Sequence, residues 1–383
     1  MVRFLLKTAS EKEGGASMAY LLYWGTILYN LINREGKKVA IFSFCVMWVM
    51  MGWSSGNIDY NKYVVWYNNY QVANKEILYT VLEYFAHQLG FSYAGFLIVM
   101  SGICIVVRIF LIYRLSNSPG FVIALYMMFP FPQDITQIRM FYGATVVLWG
   151  IQYLLSEKWV TIDAIKYVIC IIVGTCIQSG CIVFILLLLC KVNIKRMWII
   201  VFSGMALEYF IFKSENMVLK IAGMIGLESK VQSALNNSAN YAAYRFVWRA
   251  YMMIIGCFML IFLVDMQMKI RSRKGVCDEE QFVEYMKMSD FVKKINLIIF
   301  MIVPVYRYSI DLHRIFYHVL IFTWISISNS LLPRRKSWKI CIGNLIVIFL
   351  CFLCGIIYLY FNVIRTYFDN IWFPMFQNNR LLQ

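Results

Sequence analysis

Charged residues are scarce in this sequence. Only 15% of its 383 residues are charged, whereas a water-soluble domain of this size carries about a quarter. Hydrophobic residues make up 61% of the chain and its mean hydropathy is +0.66, so it lacks the polar side chains that would cover a folded surface in water. This composition excludes soluble enzymes, nucleic-acid-binding modules and secreted disulfide-rich domains.

Residues that bind metals are also few. There are 3 histidines, and of the 11 cysteines all except Cys277 lie within apolar runs. No spacing of Cys and His resembles a zinc site, and no acidic pair resembles a divalent-cation site. We therefore expect neither a metal nor another cofactor, and we interpret the cysteines as small apolar side chains.

Long apolar runs are what the sequence has in abundance. A membrane-spanning helix needs about 20 mainly apolar residues. The runs predict an all-α polytopic membrane protein with about 12 transmembrane helices (range 10–13), at residues 18–33, 39–55, 96–114, 119–133, 138–155, 161–176, 179–190, 197–212, 246–268, 293–309, 313–331 and 340–361. One run is divided by Gln178-Ser179-Gly180, which leaves either two spans or a single helix of 30 residues. Two spans give the cleaner alternation of charge.

The placement of positive charge predicts the orientation, because Lys and Arg accumulate in cytoplasmic loops. Alternate connections are rich in Lys and Arg, and the longest of them is a cytoplasmic loop at 269–292 with one short solvated helix. The other side holds outer loops at 56–95 and 213–245 and a tail at 362–383, so both termini lie outside. Loop 56–95 mixes polar and apolar residues and predicts amphipathic helices on the outer membrane face.

The first residues fit this single transmembrane domain, 18–361, poorly. The apolar stretch within residues 1–17 is too short for a secretory signal, and Met18 begins an apolar span directly. This raises the hypothesis that translation starts at Met18 rather than at Met1. N-terminal sequencing of the natural protein that found Val2 would contradict it.

Several arginines depart from the charge pattern, at or just inside the outer ends of spans: Arg139, Arg245, Arg249, Arg307 and Arg314. Charge inside a span is costly and so indicates function, and the planar guanidinium suits phosphate oxygens. We expect this cluster to bind a diphosphate at the outer leaflet. The alternative is that each arginine pairs with a nearby carboxylate, as Asp134 could pair with Arg139 and Asp311 with Arg314. Arg108 lies nearer an inner end, where we expect it to extend towards the interface.

Two further side chains could act as a general base. Asp59 stands at the outer end of the second span, where it either activates a sugar hydroxyl or caps the helix that follows. His318 lies four residues after Arg314 on the same helical face, where it is either a base or a structural histidine. The tyrosines around Tyr60 either stack on sugar rings or form an interfacial belt. Glu76 and Glu83 are interpreted as the polar side of an interfacial helix.

Three segments, GNIDYNKY, FPQDITQIRMFYGATVVLWGIQYL and LHRIFYHVL, resemble bacterial Wzy-type repeat-unit polymerases, and in particular their EpsG-like branch. The shared pattern is Gly-x-Asp-Tyr, then Gln-x-Arg at the start of a helix, then a late Arg followed by Tyr. It falls here on Gly56 to Tyr60 (one residue wider), on Gln137 and Arg139, and on Arg314 and Tyr317. Gln178 stands where the family often has a histidine.

The resemblance implies glycosyl transfer at the outer face of the bacterial plasma membrane, yielding capsular, O-antigen or exopolysaccharide. The implied donor and acceptor are both oligosaccharides on undecaprenyl diphosphate. A chain-length regulator and a flippase are expected protein partners, and nucleic acid is not expected to bind. We therefore expect Asp59, Arg139 and Arg314 to be catalytic, with His318 as the alternative base. We expect the substrate to be bound by Tyr60, Gln137, Gln178, Arg249, Arg307 and Tyr317. The alternatives are a lipid-linked oligosaccharide flippase, which visible internal repeats would favour, and an outer-face glycan ligase.

Overall fold

The computed structural model describes residues 14–70, 76–156, 161–212, 243–307, 313–331 and 338–382, with positions 217, 219, 220, 223 and 232 between the third and fourth ranges. Most of these residues are helical, none of them belongs to a strand, and one isolated bridge pair joins Ser54 and Asn379. The α-helices are α1 Gly14–Ile32, α2 Lys37–Gly52, α3 Tyr60–Asn68, α4 Ile77–Gln88, α5 Tyr93–Leu115, α6 Pro119–Met128, α7 Phe131–Asp134, α8 Ile138–Leu154, α9 Thr161–Ile177, α10 Ile194–Phe212, α11 Ala243–Arg273, α12 Glu279–Ile302, α13 His313–Ser328 and α14 Trp338–Leu359, with 3-10 helices at Ser179–Lys191 and Val303–Arg307. The all-α prediction is confirmed for these residues.

Three helices are long and apolar enough to cross a membrane: Tyr93–Leu115, Val247–Arg273 and Ile342–Gln377. Shorter apolar helices run over Met18–Ile32, Val39–Gly52, Pro119–Met128 and Ser179–Lys191. The helices of the described residues lie at or near the predicted segments. The structure does not confirm that about 12 of them span the membrane. This number stays a prediction, as do the orientation and the roles of residues 1–13 and of most of 213–242, which lie outside the described residues.

Contacts between helices divide the chain into two units. The first comprises Met1–Ile151, Tyr167–Ile182 and Leu331–Gln383, and the second comprises Gln152–Lys166 and Val183–Ser330. In the first unit, helices pack closely against neighbouring segments at positions occupied by glycine. A Cβ on Gly102 of α5 would lie 2.9 Å from Nε1 of Trp48 on α2, and one on Gly120 would lie 2.9 Å from Cα of Arg34.

The apolar run at residues 161–191 is a hairpin and not one long helix. α9 ends at Ile177, and the 3-10 helix begins at Ser179. A Cβ placed on Gly174 would lie 3.5 Å from Cβ of Cys181, whereas residues seven apart in one continuous helix are separated by about 10 Å. The chain therefore reverses at Gln178, as the preferred interpretation predicts. The 3-10 helix has 13 residues, so at about 2 Å per residue it is about 26 Å long.

Arg108 does not extend towards the interface, and this expectation is wrong. It is 1% exposed, and its guanidinium donates to Asp134 at 2.8 Å and to the Thr145 hydroxyl at 2.8 Å. The Tyr126 hydroxyl donates to the same Asp134 carboxylate at 2.6 Å. The carboxylate that the sequence suggested for Arg139 is thus bound to another arginine, because a buried Arg108 needs a partner of opposite charge.

The described residues of the segment predicted as an outer loop form two short helices, α3 and α4, as predicted. The interpretation of Glu83 is wrong, however, because its side chain is fully buried, whereas Ile77 is 78% and Phe85 58% exposed. Glu83 therefore faces inward together with Tyr79 and Ala86, and Ile77 and Phe85 face outward. This arrangement suits a helix whose outer surface contacts lipid rather than water.

The end of the chain is helical and packed. Beyond α14 the helix continues, with π-helical turns at Tyr360–Ile364 and Phe368–Trp372, as far as Gln377. Phe376 stacks on Tyr20 of α1 with ring centroids 3.9 Å apart. The segment predicted as a tail is therefore an integral part of the first unit.

In the second unit, a buried carboxylate joins α11 to α12. Asp265 accepts hydrogen bonds from Tyr285 at 2.8 Å and Ser289 at 2.7 Å, and it is ion-paired with Lys293. α12 runs unbroken from Glu279 to Ile302, so the predicted solvated helix and the beginning of the predicted span at 293 form one element. The connection between α11 and α12 turns at Gly275, whose φ of +63° lies in the left-handed region that favours glycine.

Candidate functional site

The loop between α2 and α3 carries the first candidate residues and has a fixed backbone. Gly56 has a φ of +70°, and a Cβ there would overlap the side-chain amide of Asn378, so only glycine fits. The Asn57 side chain accepts a hydrogen bond from the Asp59 backbone N–H at 3.2 Å. The chain from Gly56 to Asp59, which is one residue longer than in the family pattern, thus forms an ordered turn that leads into α3.

Asp59 occupies the position before the first residue of α3, but its side chain makes no capping hydrogen bond. Its backbone carbonyl accepts from Tyr63 N–H at 3.0 Å, as in a regular helix start. Within the described ranges the carboxylate accepts no hydrogen bond and forms no ion pair. The helix-capping interpretation is therefore not supported, and the carboxylate is available to a ligand.

Arg139, the second residue of α8, is ion-paired with Glu76 at 2.6 Å, and both side chains are only 15% exposed. Its guanidinium also lies 4.9 Å from the ring centroid of Trp66 and 5.6 Å from that of Tyr79. These contacts are of the cation–π type and hold the guanidinium between rings. The alternative prediction, that Arg139 pairs with a carboxylate, is confirmed. The partner is Glu76, however, and not Asp134 as the sequence suggested.

Glu76 connects the start of α8 to the tip of the hairpin. One carboxylate oxygen binds Arg139, and the other accepts a hydrogen bond from the Ser179 backbone N–H at 3.1 Å. Burial alone would raise the pKa of Glu76, but the charge of Arg139 and the Ser179 N–H outweigh it and leave the pKa below its ordinary value of 4.5. The carboxylate is therefore ionised at neutral pH. Sequence reasoning missed this role because the two partners lie 63 and 103 residues away.

Arg139 keeps a donor for a ligand. Its Nη1 serves Glu76, while its Nε is buried and has no hydrogen-bond partner among the described residues. Next to Ser179, the side-chain oxygen of Gln178 is likewise buried without a hydrogen-bond partner in the described part of the chain. A buried polar atom without a partner is costly, so each of these two atoms is a candidate contact for a polar ligand.

Gln137 has a different role from Gln178. It is 9% exposed, and its side-chain NH₂ group donates to the Gln133 side chain at 3.1 Å. Gln133 in turn donates to the backbone carbonyl of Asn362 at 2.7 Å. Gln137 thus belongs to a buried chain of amides that ties α7 to the end of α14, and its expected substrate contact stays a prediction.

Side chains of α3 form an aromatic row, which we define as Tyr60, Tyr63 and Trp66. The rings of Tyr63 and Trp66 are 5.7 Å apart, and the rings of Tyr60 and Tyr63 are joined through Tyr93, at 5.4 Å and 6.4 Å. The next tyrosine, Tyr67, is structural, because its hydroxyl donates to the Phe91 carbonyl at 2.7 Å.

The aromatic row has a cation at each end. At the Trp66 end lie the guanidinium of Arg139 and, at 4.5 Å from the Trp66 centroid, the ammonium of Lys62. At the Tyr60 end lies the guanidinium of Arg380, 5.6 Å from the Tyr60 centroid. Rings that can stack on sugars thus stand between positive charges, and sequence reasoning missed Arg380 entirely.

The remaining candidates belong to the second unit. Arg314 and His318 are one turn apart on α13, where Arg314 is half-buried, His318 is 2% exposed and Tyr317 is 4% exposed. Arg249 is half-buried on α11. The side chains of Arg245 and Arg307, and Asp311 as a whole, lie outside the described residues. A single diphosphate site made by all of these arginines stays a prediction.

No group of three or more His, Cys, Asp or Glu side chains that could hold a metal ion occurs in the ranges that the structure describes. The expectation of a metal-free reaction rests on the sequence and stays a prediction.

Comparison with known proteins identifies the family. Neither the curated proteins nor the solved structures give a match to this chain. A model of the EpsG family matches residues 37–375, which is most of the chain and includes Asp59, Arg139 and Arg314. The chain therefore belongs to the EpsG family, which is associated with polysaccharide biosynthesis.

Proposed function

We propose that this protein polymerises oligosaccharide repeat units carried on undecaprenyl diphosphate, at the outer face of the bacterial plasma membrane. Membership of the EpsG family supports a role in polysaccharide biosynthesis. The observation that carries the proposal is the Arg139 guanidinium, fixed between Glu76 and aromatic rings with its Nε left for a ligand. A fixed arginine with a free donor is suited to the oxygens of a diphosphate.

The reaction is a displacement at the anomeric carbon of the donor sugar. A hydroxyl oxygen of the acceptor forms the new glycosidic bond, and the bond from the anomeric carbon to the diphosphate oxygen breaks. The hydroxyl proton passes to a base, for which we propose Asp59, and the bonding electron pair leaves with the diphosphate. The main demand on the protein is to stabilise negative charge that develops on the leaving group.

Arg139 meets that demand by being fixed before the substrate binds. Its ion pair with Glu76 and its position over Trp66 hold the guanidinium in place, so little reorganisation is needed as charge develops. The oxygen of Gln178 would accept from a sugar hydroxyl, and the aromatic row would stack on sugar rings. The resemblance assigns a diphosphate contact to Arg314, and His318, one helical turn further on, is the second candidate base. Both roles stay proposals.

Substitution of Arg139 tests the proposal in proteoliposomes supplied with the lipid-linked repeat unit of the host. Arg139→Ala should lower the rate of polymer formation at least about 100-fold, the loss typical of removing one charge-stabilising group. Arg139→Lys should recover little, because an ammonium lacks the planar fork. The matched control is Arg365→Ala, an exposed arginine over the Phe361 ring at 5.8 Å, which should polymerise normally. Equal rates for Arg139→Ala and Arg365→Ala would refute the assignment.

A further inference from the structure

The last residues of the chain are fastened to the loop that carries Asp59. We call residues 378–380 the C-terminal latch. The Asn378 carbonyl accepts from the backbone N–H of Ser55 at 3.1 Å and from its hydroxyl at 2.6 Å. The fully buried Asn379 side chain donates to the Val49 carbonyl at 2.9 Å, and the Arg380 backbone N–H donates to the Trp53 carbonyl at 3.0 Å.

The latch places one side chain at the candidate site and leaves it uncommitted. The Arg380 side chain is exposed, lies over the Tyr60 ring, and forms no ion pair within the described residues. The backbone N–H of the next residue, Leu381, donates to the Asn379 side chain at 3.1 Å, so the chain on both sides of Arg380 is held. The hydrogen bonds around Arg380 thus fix a cation beside Tyr60, the residue that follows Asp59, without giving it a carboxylate partner among the described residues. Arg380 also lies beyond the part of the chain that the family model matches, residues 37–375.

The proposed reaction needs two such cations. Donor and acceptor each carry a diphosphate, and one arginine fork cannot serve two diphosphates at once. Arg139 and Arg380 stand at opposite ends of the aromatic row, whose outer members are six residues of helix apart, or about 9 Å.

We propose that Arg380 binds the diphosphate of the second lipid-linked substrate, the one that Arg139 does not hold, and that the C-terminal latch positions it. This inference rests on the proposed function, because only a reaction between two lipid diphosphates requires two such subsites. Its ligand is a lipid-borne diphosphate, and a phospholipid headgroup is the other source of phosphate at this surface.

The test counts diphosphate sites on the full chain. The purified protein in phosphatidylcholine nanodiscs is titrated with radiolabelled undecaprenyl diphosphate at equilibrium. The wild-type protein should bind two equivalents, Arg380→Ala one, and Arg139→Ala one, whereas the matched control Arg365→Ala should keep two. Arg380→Lys should restore the second equivalent with weaker affinity, because the positive charge remains. Asn379→Ala, which keeps Arg380 but removes a contact of the latch, should weaken the same equivalent.

Three results would overturn the inference: two equivalents in Arg380→Ala, a single equivalent in the wild-type protein, or displacement of the second equivalent by added phosphatidylglycerol. The last result would assign Arg380 to a phospholipid headgroup. In any of these cases the wild-type protein can still polymerise, so the proposed function would stand. No binding and no polymer from the folded wild-type protein would refute the proposed function together with the inference.

Discussion

Glu76 determines where the Arg139 guanidinium lies. The carboxylate joins Arg139 of α8 to the Ser179 N–H at the hairpin tip, and both members of the ion pair are largely shielded from water. An ion pair in such a place orients its members more than it stabilises the fold. We therefore interpret Glu76 as a positioning residue for Arg139.

Glu76→Gln tests this interpretation. The amide keeps the size of the side chain but removes the charge that holds Arg139, so the polymerisation rate should fall about tenfold, or ~1.4 kcal/mol in the activation barrier. The rate is measured in proteoliposomes, with the exposed Glu280→Gln of α12 as a matched control. A normal rate in Glu76→Gln would show that Arg139 does not depend on the pair.

The lowered pKa of Glu76 determines the pH range in which its ion pair with Arg139 stabilises the folded protein. A carboxylate whose pKa is depressed by folding stabilises the folded state above its unfolded pKa of about 4.5, and this contribution is lost as the pH falls through the folded value. The difference in Tm between wild type and Glu76→Gln should therefore be constant from pH 8 to about pH 5 and should shrink only below that. A difference that changed between pH 6 and pH 8 would contradict this account.

The buried pair of Arg108 and Asp134 has a structural role. Removing one member leaves an uncompensated buried charge, so Asp134→Ala should lower the free energy of unfolding by about 3–5 kcal/mol. Replacing both residues by leucine should cost less, since no charge is left without a partner. Thermal unfolding in detergent measures both variants, and a double variant less stable than Asp134→Ala would contradict the assignment.

At the scale of the helices, glycines decide how closely α8 and α9 approach. A Cβ on Gly174 would lie 2.7 Å from a Val147 methyl group and 2.9 Å from the Gly143 carbonyl oxygen. Gly174→Ala should therefore destabilise the first unit by about 1–3 kcal/mol, the usual cost of overpacking.

The hairpin also contains the matched control for that substitution. A Cβ on Gly180 would meet only the Met140 sulfur, at 3.8 Å, so Gly180→Ala should change the stability by no more than about 0.5 kcal/mol. Thermal unfolding of the two variants gives the comparison. Equal losses of stability would mean that the close contact at Gly174 is not limiting.

Helices and the hairpin could be predicted from the sequence because both depend on local features. Apolar runs mark the helices, and the polar triplet Gln178-Ser179-Gly180 marks the reversal. The partners of Arg139 and the C-terminal latch could not be predicted. Glu76 precedes Arg139 by 63 residues, and the latch is held largely by backbone groups, which carry no sequence signal. The burial of Glu83 on α4 could not be predicted either, because a glutamate in an amphipathic pattern is normally interpreted as a solvent-facing residue.

At the scale of the whole molecule, the proposed reaction joins two lipid-linked substrates. The first unit supports it with Asp59, Arg139 and the aromatic row, and the second unit carries Arg314 and His318 on α13. Membership of the EpsG family connects the chain with polysaccharide biosynthesis. A flippase and a ligase bind the same lipid diphosphate as a polymerase, and the three differ in the product they form.

One measurement separates them most directly: purified protein in liposomes, given the fluorescent lipid-linked repeat unit of its host with a metal chelator present, and read on a gel. A polymerase should give a ladder whose steps equal one repeat unit, formed without metal. Movement of the labelled lipid across the bilayer without a ladder would contradict the account and favour a flippase. A single transfer to a different acceptor would contradict it in favour of a ligase.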